Sequence, residues 1–115
     1  MAKVLVIDDE QSIRMLMVAI LEDEGHHVIE ASDGLQGLDL LERERPDVVI
    51  LDIMMPGIDG LETFRRIRED SQHDKVPVVM VSAGSYRAPD SVAAFIRKPF
   101  NIMDFLDTID RVLSA

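Results

Sequence analysis

Short apolar runs alternate along the chain with stretches whose apolar positions recur every three or four residues, the signature of repeated βα units around a parallel sheet. Lys3–Ile7 predicts a first strand. A helix over about Ser12–Glu24 follows, with Ile13, Leu16, Met17, Ile20 and Leu21 on one stripe and Gly25 as its stop. His27–Ala31 predicts strand two, and Asp33 is placed to cap a helix that turns Leu35, Leu38 and Leu41 inward until Pro46 ends it. Asp47–Leu51 predicts strand three, Met55-Pro56-Gly57 a turn, and Asp59 the cap of a helix burying Leu61, Phe64 and Ile67. Val76–Val81 and about Val92–Ile96 predict strands four and five, with Pro77 tolerated at a strand start. Asn101 is placed to cap a last helix that faces the core through Ile102, Phe105, Leu106, Ile109, Val112 and Leu113. Met15, Met17, Met80 and Met103 fall at core periodicities and read as packing. Unbroken Val/Ile/Leu runs in strands one, three and four predict burial on both faces, hence central positions in the sheet.

The connection between strands four and five is short. Ala83–Ser91 contains Gly84 and Pro89, whereas a parallel crossover with its own helix needs at least ~10–12 residues. It therefore predicts one helical turn or none, and a thinly covered patch of sheet.

Composition narrows the functional classes. A chain of 115 residues is one domain, residues 1–115, large enough for a single core. The formal charge of −10 disfavours direct contact with nucleic acid or anionic lipid, which need clustered Lys and Arg. No apolar stretch approaches a membrane span, and MAKVLVIDDE lacks the apolar segment of a signal peptide. With no cysteine there is no disulfide framework or thiolate chemistry, which fits the cytoplasm.

The candidate chemistry lies where strands end. Asp8 and Asp9 follow strand one, Asp52 strand three, Ser82 strand four, and Lys98 strand five. In an open parallel sheet these ends share one edge, outside which ligands bind. Like charges about 4 Å apart cost on the order of 4 kcal/mol at an effective dielectric near 20, so three gathered carboxylates call for a cation. Mg²⁺, or Mn²⁺ in its place, suits a site of carboxylates, waters and phosphate oxygens. Asp52 is the candidate nucleophile, because a carboxylate can attack phosphorus to give an aspartyl phosphate. Lys98 and the metal would stabilise charge on the phosphoryl oxygens, and Ser82 could donate a hydrogen bond to one. Pro99 holds Lys98 in extended backbone. Met54 and Met55 offer no acid or amide to orient water, which predicts a long-lived phosphoryl group. His26, His27 and His73 lack the spacing of a zinc cluster and read as solvated turn residues.

VLVIDDE, PDVVILDIMMPGIDG, VVMVSA and IRKPF, in that order over essentially the whole chain, resemble the receiver domain of bacterial two-component response regulators. The resemblance implies an α/β, flavodoxin-like, doubly wound five-stranded parallel sheet of order 2-1-3-4-5, an order for which this family is itself a standard illustration. The short Ser82–Phe95 interval implies that the fourth helix is shortened or missing. Asp52 matches the phosphoacceptor. Asp9, Asp52 and the backbone carbonyl of Met54 match the Mg²⁺-holding positions, with Asp8 acting through water. Lys98 and Ser82 match the groups that bind the phosphoryl oxygens. Phe95 falls on the aromatic switch position, or is a core aromatic only, and the Lys98-Pro99 bond is expected to be cis.

Read this way, the chain is a phosphoacceptor signalling module of a two-component system or phosphorelay. Its phosphoryl donor would be a sensor histidine kinase or a histidine phosphotransfer protein. It would catalyse its own phosphorylation and dephosphorylation without being an enzyme with an external product. Output would pass to a downstream protein target, with no direct contact to nucleic acid or membrane, from a monomer or weak homodimer. The surface for that contact would be Ala83–Ser91, Val92 to Phe95 and the last helix. Two rivals differ in class. A hydrolase of the haloacid dehalogenase type would carry D-x-D after strand one, where this chain has Asp8-Asp9-Glu10. A phosphate-independent interaction module would not need the set Asp9, Asp52, Ser82 and Lys98.

Overall fold

The computed structural model describes residues 1–84 and 86–115. Nine elements follow in order: β1 (Lys3–Ile7), α1 (Gln11–Asp23), β2 (His27–Ala31), α2 (Gly34–Glu44), β3 (Val48–Asp52), α3 (Gly60–Glu69), β4 (Val78–Ser82), β5 (Ala94–Arg97) and α4 (Ile102–Ser114). The strands form one parallel sheet of order β2-β1-β3-β4-β5, the flavodoxin-like arrangement. The three runs expected at the centre are there. Val4–Ile7, Val48–Leu51 and Val78–Val81 are all at most 1% exposed. Burying each such side chain contributes roughly 1.5–3 kcal/mol, so these strands dominate the core.

One face of the sheet is closed by α1 and α4, through Met17, Leu21, Phe105 and Ile109. The other is closed by α2 and α3, through Leu41, Phe64 and Ile67. Caps form where the sequence predicts them. Asp33 accepts from the Gln36 amide, Asp59 from the Glu62 amide, and Asn101 from those of Met103 and Asp104. Each satisfies an amide left free at a helix start.

The helix stripes are narrower than expected. Leu16, Leu35, Leu61 and Ile102 are 36–60% exposed and lie outside the core. Leu35, Leu61 and Ile102 sit in first turns, while Gly34, Gly37, Gly60 and Thr63 take the inward places of α2 and α3. Glycine is required there by close approach. A Cβ at Gly37 would strike the Ile7 side chain, and one at Gly60 the carbonyl of Asp52. Met17 and Met80 are buried, but Met15 and Met103 are exposed and do not pack in the core.

Strands β3, β4 and β5 each start one or two residues later than predicted, at Val48, Val78 and Ala94. Among the described residues of 83–93 there is no helix, as the chain length requires; Ser85 of that interval lies outside the described residues. Tyr86, Val92 and Phe95 lie partly buried against the α2/α3 side of the core in its place.

Candidate functional site

Strand register assembles the site. Ile7 is level with Leu51, so Asp8 and Asp52 leave adjacent strands at the same height. Asp52 pairs with Val81 and Ser82 with Arg97, which places Ser82 and Lys98 on the same edge. The Lys98 amide donates to the Ser82 carbonyl at 2.9 Å, and the Lys98-Pro99 bond is cis, as expected.

Asp8 is fully buried and fixed on every side. Its amide donates to the Ala31 carbonyl at 3.1 Å. Its Oδ1 accepts from the Glu10 amide at 2.9 Å, and its Oδ2 from Lys98 Nζ at 3.1 Å. Arg14 Nη1 donates to the Asp8 carbonyl at 2.7 Å. Lys98 Nζ also lies 3.4 Å from Asp52 Oδ1 and 3.9 Å from Glu10 Oε1. Asp9 is exposed at the rim. Carboxylate oxygens of Asp8, Asp9 and Asp52 all lie within 4.8 Å of one another.

The electrostatics follow from this crowding. Asp52 is only 4% exposed. Burial and the neighbouring Asp8 push its carboxyl up to about 6, against the pull of Lys98, and Asp9 adds to the rise. For Lys98, burial favours loss of the proton, but Asp52 and Asp8 outweigh it and raise its pKa. The donor set fits a hard divalent ion. It offers oxygen ligands from three carboxylates at one point, and a single lysine does not neutralise them.

The structure thus brings Asp8, Asp9, Asp52 and Lys98 together, with Ser82 on the adjoining strand end. Ser82 is buried and its Oγ accepts from the Gly84 amide at 3.1 Å. Phe95 is half-buried on the edge strand β5, packed against the core, with the Arg97 guanidinium 5.9 Å from its ring centre. The Met54 side chain is 57% exposed beside the site, whereas Met55 is 8% exposed. Sequence reasoning overlooked Glu10 and Arg14. Arg14 lies one helical turn inside α1, and a basic residue six positions after an acidic strand end is the signal for it.

His73 corrects an expectation. It is 7% exposed, not solvated, and its Nε2 is 2.7 Å from Glu42 Oε2. Glu42, Asp70 and His73 form a second group with donor atoms within 4.8 Å. The tertiary fold joins α2 to the turn after α3, so no local spacing reveals it.

Comparison with known proteins agrees with this geometry. Residues 4–110 match the family described as response regulator receiver domain. The protein PilH of Pseudomonas aeruginosa is 32% identical over 121 residues, covering 100% of both chains. Sporulation initiation phosphotransferase F of Bacillus subtilis is 33% identical over 116 residues, covering 96% of this chain and 93% of that one. The chemotaxis response regulator CheY4 of Vibrio cholerae superposes with a TM-score of 0.88 at 34% identity, over 97% of this chain and 98% of its own.

Proposed function

Since the chain belongs to the response regulator receiver domain family, we propose that Asp52 accepts a phosphoryl group from a phosphohistidine and that the acquired charge switches contacts with other proteins. The donor is a sensor histidine kinase or a histidine phosphotransfer protein. The observation that carries this reading is Asp52 itself: a buried carboxylate 3.4 Å from a lysine and grouped with two further carboxylates.

In the reaction an Asp52 carboxylate oxygen attacks phosphorus and forms a P–O bond as the P–N bond to the donor imidazole breaks. The imidazole leaves with the electron pair of that bond and takes up a proton. Asp52 must be ionised to attack, so its raised pKa makes it a better nucleophile than an ordinary carboxylate while leaving it largely charged at pH 7. Lys98 holds a fixed positive charge beside the incoming phosphoryl oxygens and orients them through its ammonium donors. Asp8 keeps Lys98 in place. Asp9, Asp52 and the Met54 carbonyl, with Asp8 through water, would hold Mg²⁺ or Mn²⁺, whose charge offsets that of the phosphoryl group and the carboxylates. The Ser82 hydroxyl exchanges the Gly84 amide for a phosphoryl oxygen, and Phe95 moves with it.

Reversal by water returns Asp52 to its free state, so the chain acts on itself and releases no product of a separate substrate. Output then passes through residues 83–95 and α4 to a protein target, with the chain a monomer or weak homodimer. No helix among the described residues is long and apolar enough to cross a membrane, and the module operates in the cytoplasm. The test is labelling by a phosphohistidine donor with Mg²⁺: native chain takes up phosphate and Asp52→Asn does not. Equal labelling of both would overturn the assignment.

A further inference from the structure

A second cavity lies at the opposite end of the sheet. It occupies about 460 Å³ where Pro77, ahead of β4, and Ala93 and Ala94, at the start of β5, approach the ends of α3 and α4. Its walls are partly apolar, and Arg68, Lys75 and Arg111 bring three cations to it. This is a notable place to find them in a chain with 22 acidic and 12 basic residues. Seven of the twelve Lys and Arg side chains make ion pairs among the described residues. Three of the other five line this one cavity.

Arg68 is fixed by one ring and two hydrogen bonds. Its guanidinium lies 4.8 Å from the centre of the Phe64 ring. Nε donates to Ser91 Oγ and Nη2 to the Ser91 carbonyl, both at 3.2 Å. Nη1 is buried and has no hydrogen-bond partner among the described residues. Native proteins satisfy nearly all buried polar groups, so such a donor is available to a water, an ion or a ligand oxygen. Burial pushes the Arg68 pKa down, and the charge of Asp74 opposes this without forming an ion pair. Asp104, Asp107 and Asp110 share a neighbouring hollow with Arg111. These acids repel an extended polyanion crossing the surface, but a compact anion inside the cavity reaches the cations first.

We propose that this cavity binds a compact, multiply charged oxyanion carried on a small apolar body, with Arg68, Lys75 and Arg111 supplying the counter-charge. A guanidinium fixed by stacking and two hydrogen bonds is preorganised for such oxygens. Pro77, Ala94 and Val112 provide the apolar contact. Phosphate esters and polycarboxylates share this chemistry. The site stands apart from Asp52 and does not depend on its phosphorylation.

Amide NMR titration of the full chain tests it, using inorganic phosphate, citrate and acetate at constant ionic strength. Phosphate, citrate or both produce saturable shifts at Arg68, Ser91, Ala94 and Arg111, and acetate does not. Saturation by phosphate alone identifies a phosphate ester, and by citrate alone a polycarboxylate. Lys75→Gln and Arg111→Gln leave the Ser91 and Phe64 contacts intact and each weaken binding about tenfold. Shifts that never saturate, gather near Lys98 or survive both substitutions overturn the proposal. So does saturation by a tetraglutamate peptide alone, which would make the cavity a protein-docking surface.

Discussion

At the carboxyl end of the sheet, three carboxylates gather beside one lysine; at the amino ends of β4 and β5, three cations have no carboxylate partner among the described residues. The net charge of −10 hides this segregation. At each end a charged group lacks full compensation from the described residues: buried Asp52 with its raised pKa, and half-buried Arg68 with its orphaned Nη1. Stability alone does not favour either arrangement, because uncompensated burial of a charge costs free energy. Both ends are therefore places where binding free energy can be gained, and they differ in the sign of what they take.

The sharpest break in this comparison is at the acidic end. Asp52→Asn should lower phosphoryl uptake from a phosphohistidine donor by about 10³-fold or more, since the nucleophile is gone. Radiolabel retained on the variant at the native rate would remove the distinction between the two ends. Lys98→Ala should slow uptake about 10²-fold, the scale of losing one charge-stabilising donor. It should also shift the pH dependence of uptake upward, because Lys98 no longer lowers the Asp52 pKa.

The same carboxyl affects stability in metal-free protein. Folded Asp52 titrates at about 6 against 3.8 for an ordinary Asp, so between these values the folded state binds more protons. Stability then falls as pH rises through this window, and the cost is fully present above it. Asp52→Asn should accordingly stabilise the metal-free chain by about 1–3 kcal/mol at pH 7 and by much less at pH 4. Urea unfolding at the two pH values measures this, and an equal change at both would show that Asp52 is not strained by burial.

Met54→Asn should shorten the phosphoryl lifetime several-fold by supplying an amide that orients water beside Asp52. An unchanged half-life would mean that the exposed Met54 side chain does not shield the group. The smallest effect belongs to the basic end. Ser91→Ala removes one acceptor from Arg68 and should cost about 0.5–1.5 kcal/mol in urea unfolding. No change would show that Arg68 is held by the Phe64 ring and the Ser91 carbonyl without help from the hydroxyl.

The central strands and the site edge were legible because both rest on strong local signals, whereas the full sheet order was implied by the family resemblance. Continuous apolar runs marked the central strands, and Asp8, Asp52, Ser82 and Lys98 each stand at the end of a run. The helix interiors were read too broadly. Leu35 and Leu61 obey helical periodicity, yet the first turns of α2 and α3 meet the sheet through glycine and threonine. Nothing in a stripe count records how closely two backbones approach. Nor could His73 be placed, since Glu42 lies 31 residues away from it. Arg68 was illegible for the same reason: its partner Ser91 lies 23 residues on, across a strand.

One ion pair links the two extremes of the chain, for Lys98 stands 90 residues from Asp8. During synthesis both buried aspartates emerge from the ribosome well before their lysine does, because chains are made from the N-terminus. Until β5 docks, the nascent sheet carries mutually repelling acids without the lysine that lies between them. Competence for the proposed phosphoryl chemistry would therefore arrive in one late step, and a prematurely released fragment lacking β5 would not act as a partial receiver that drains its donor.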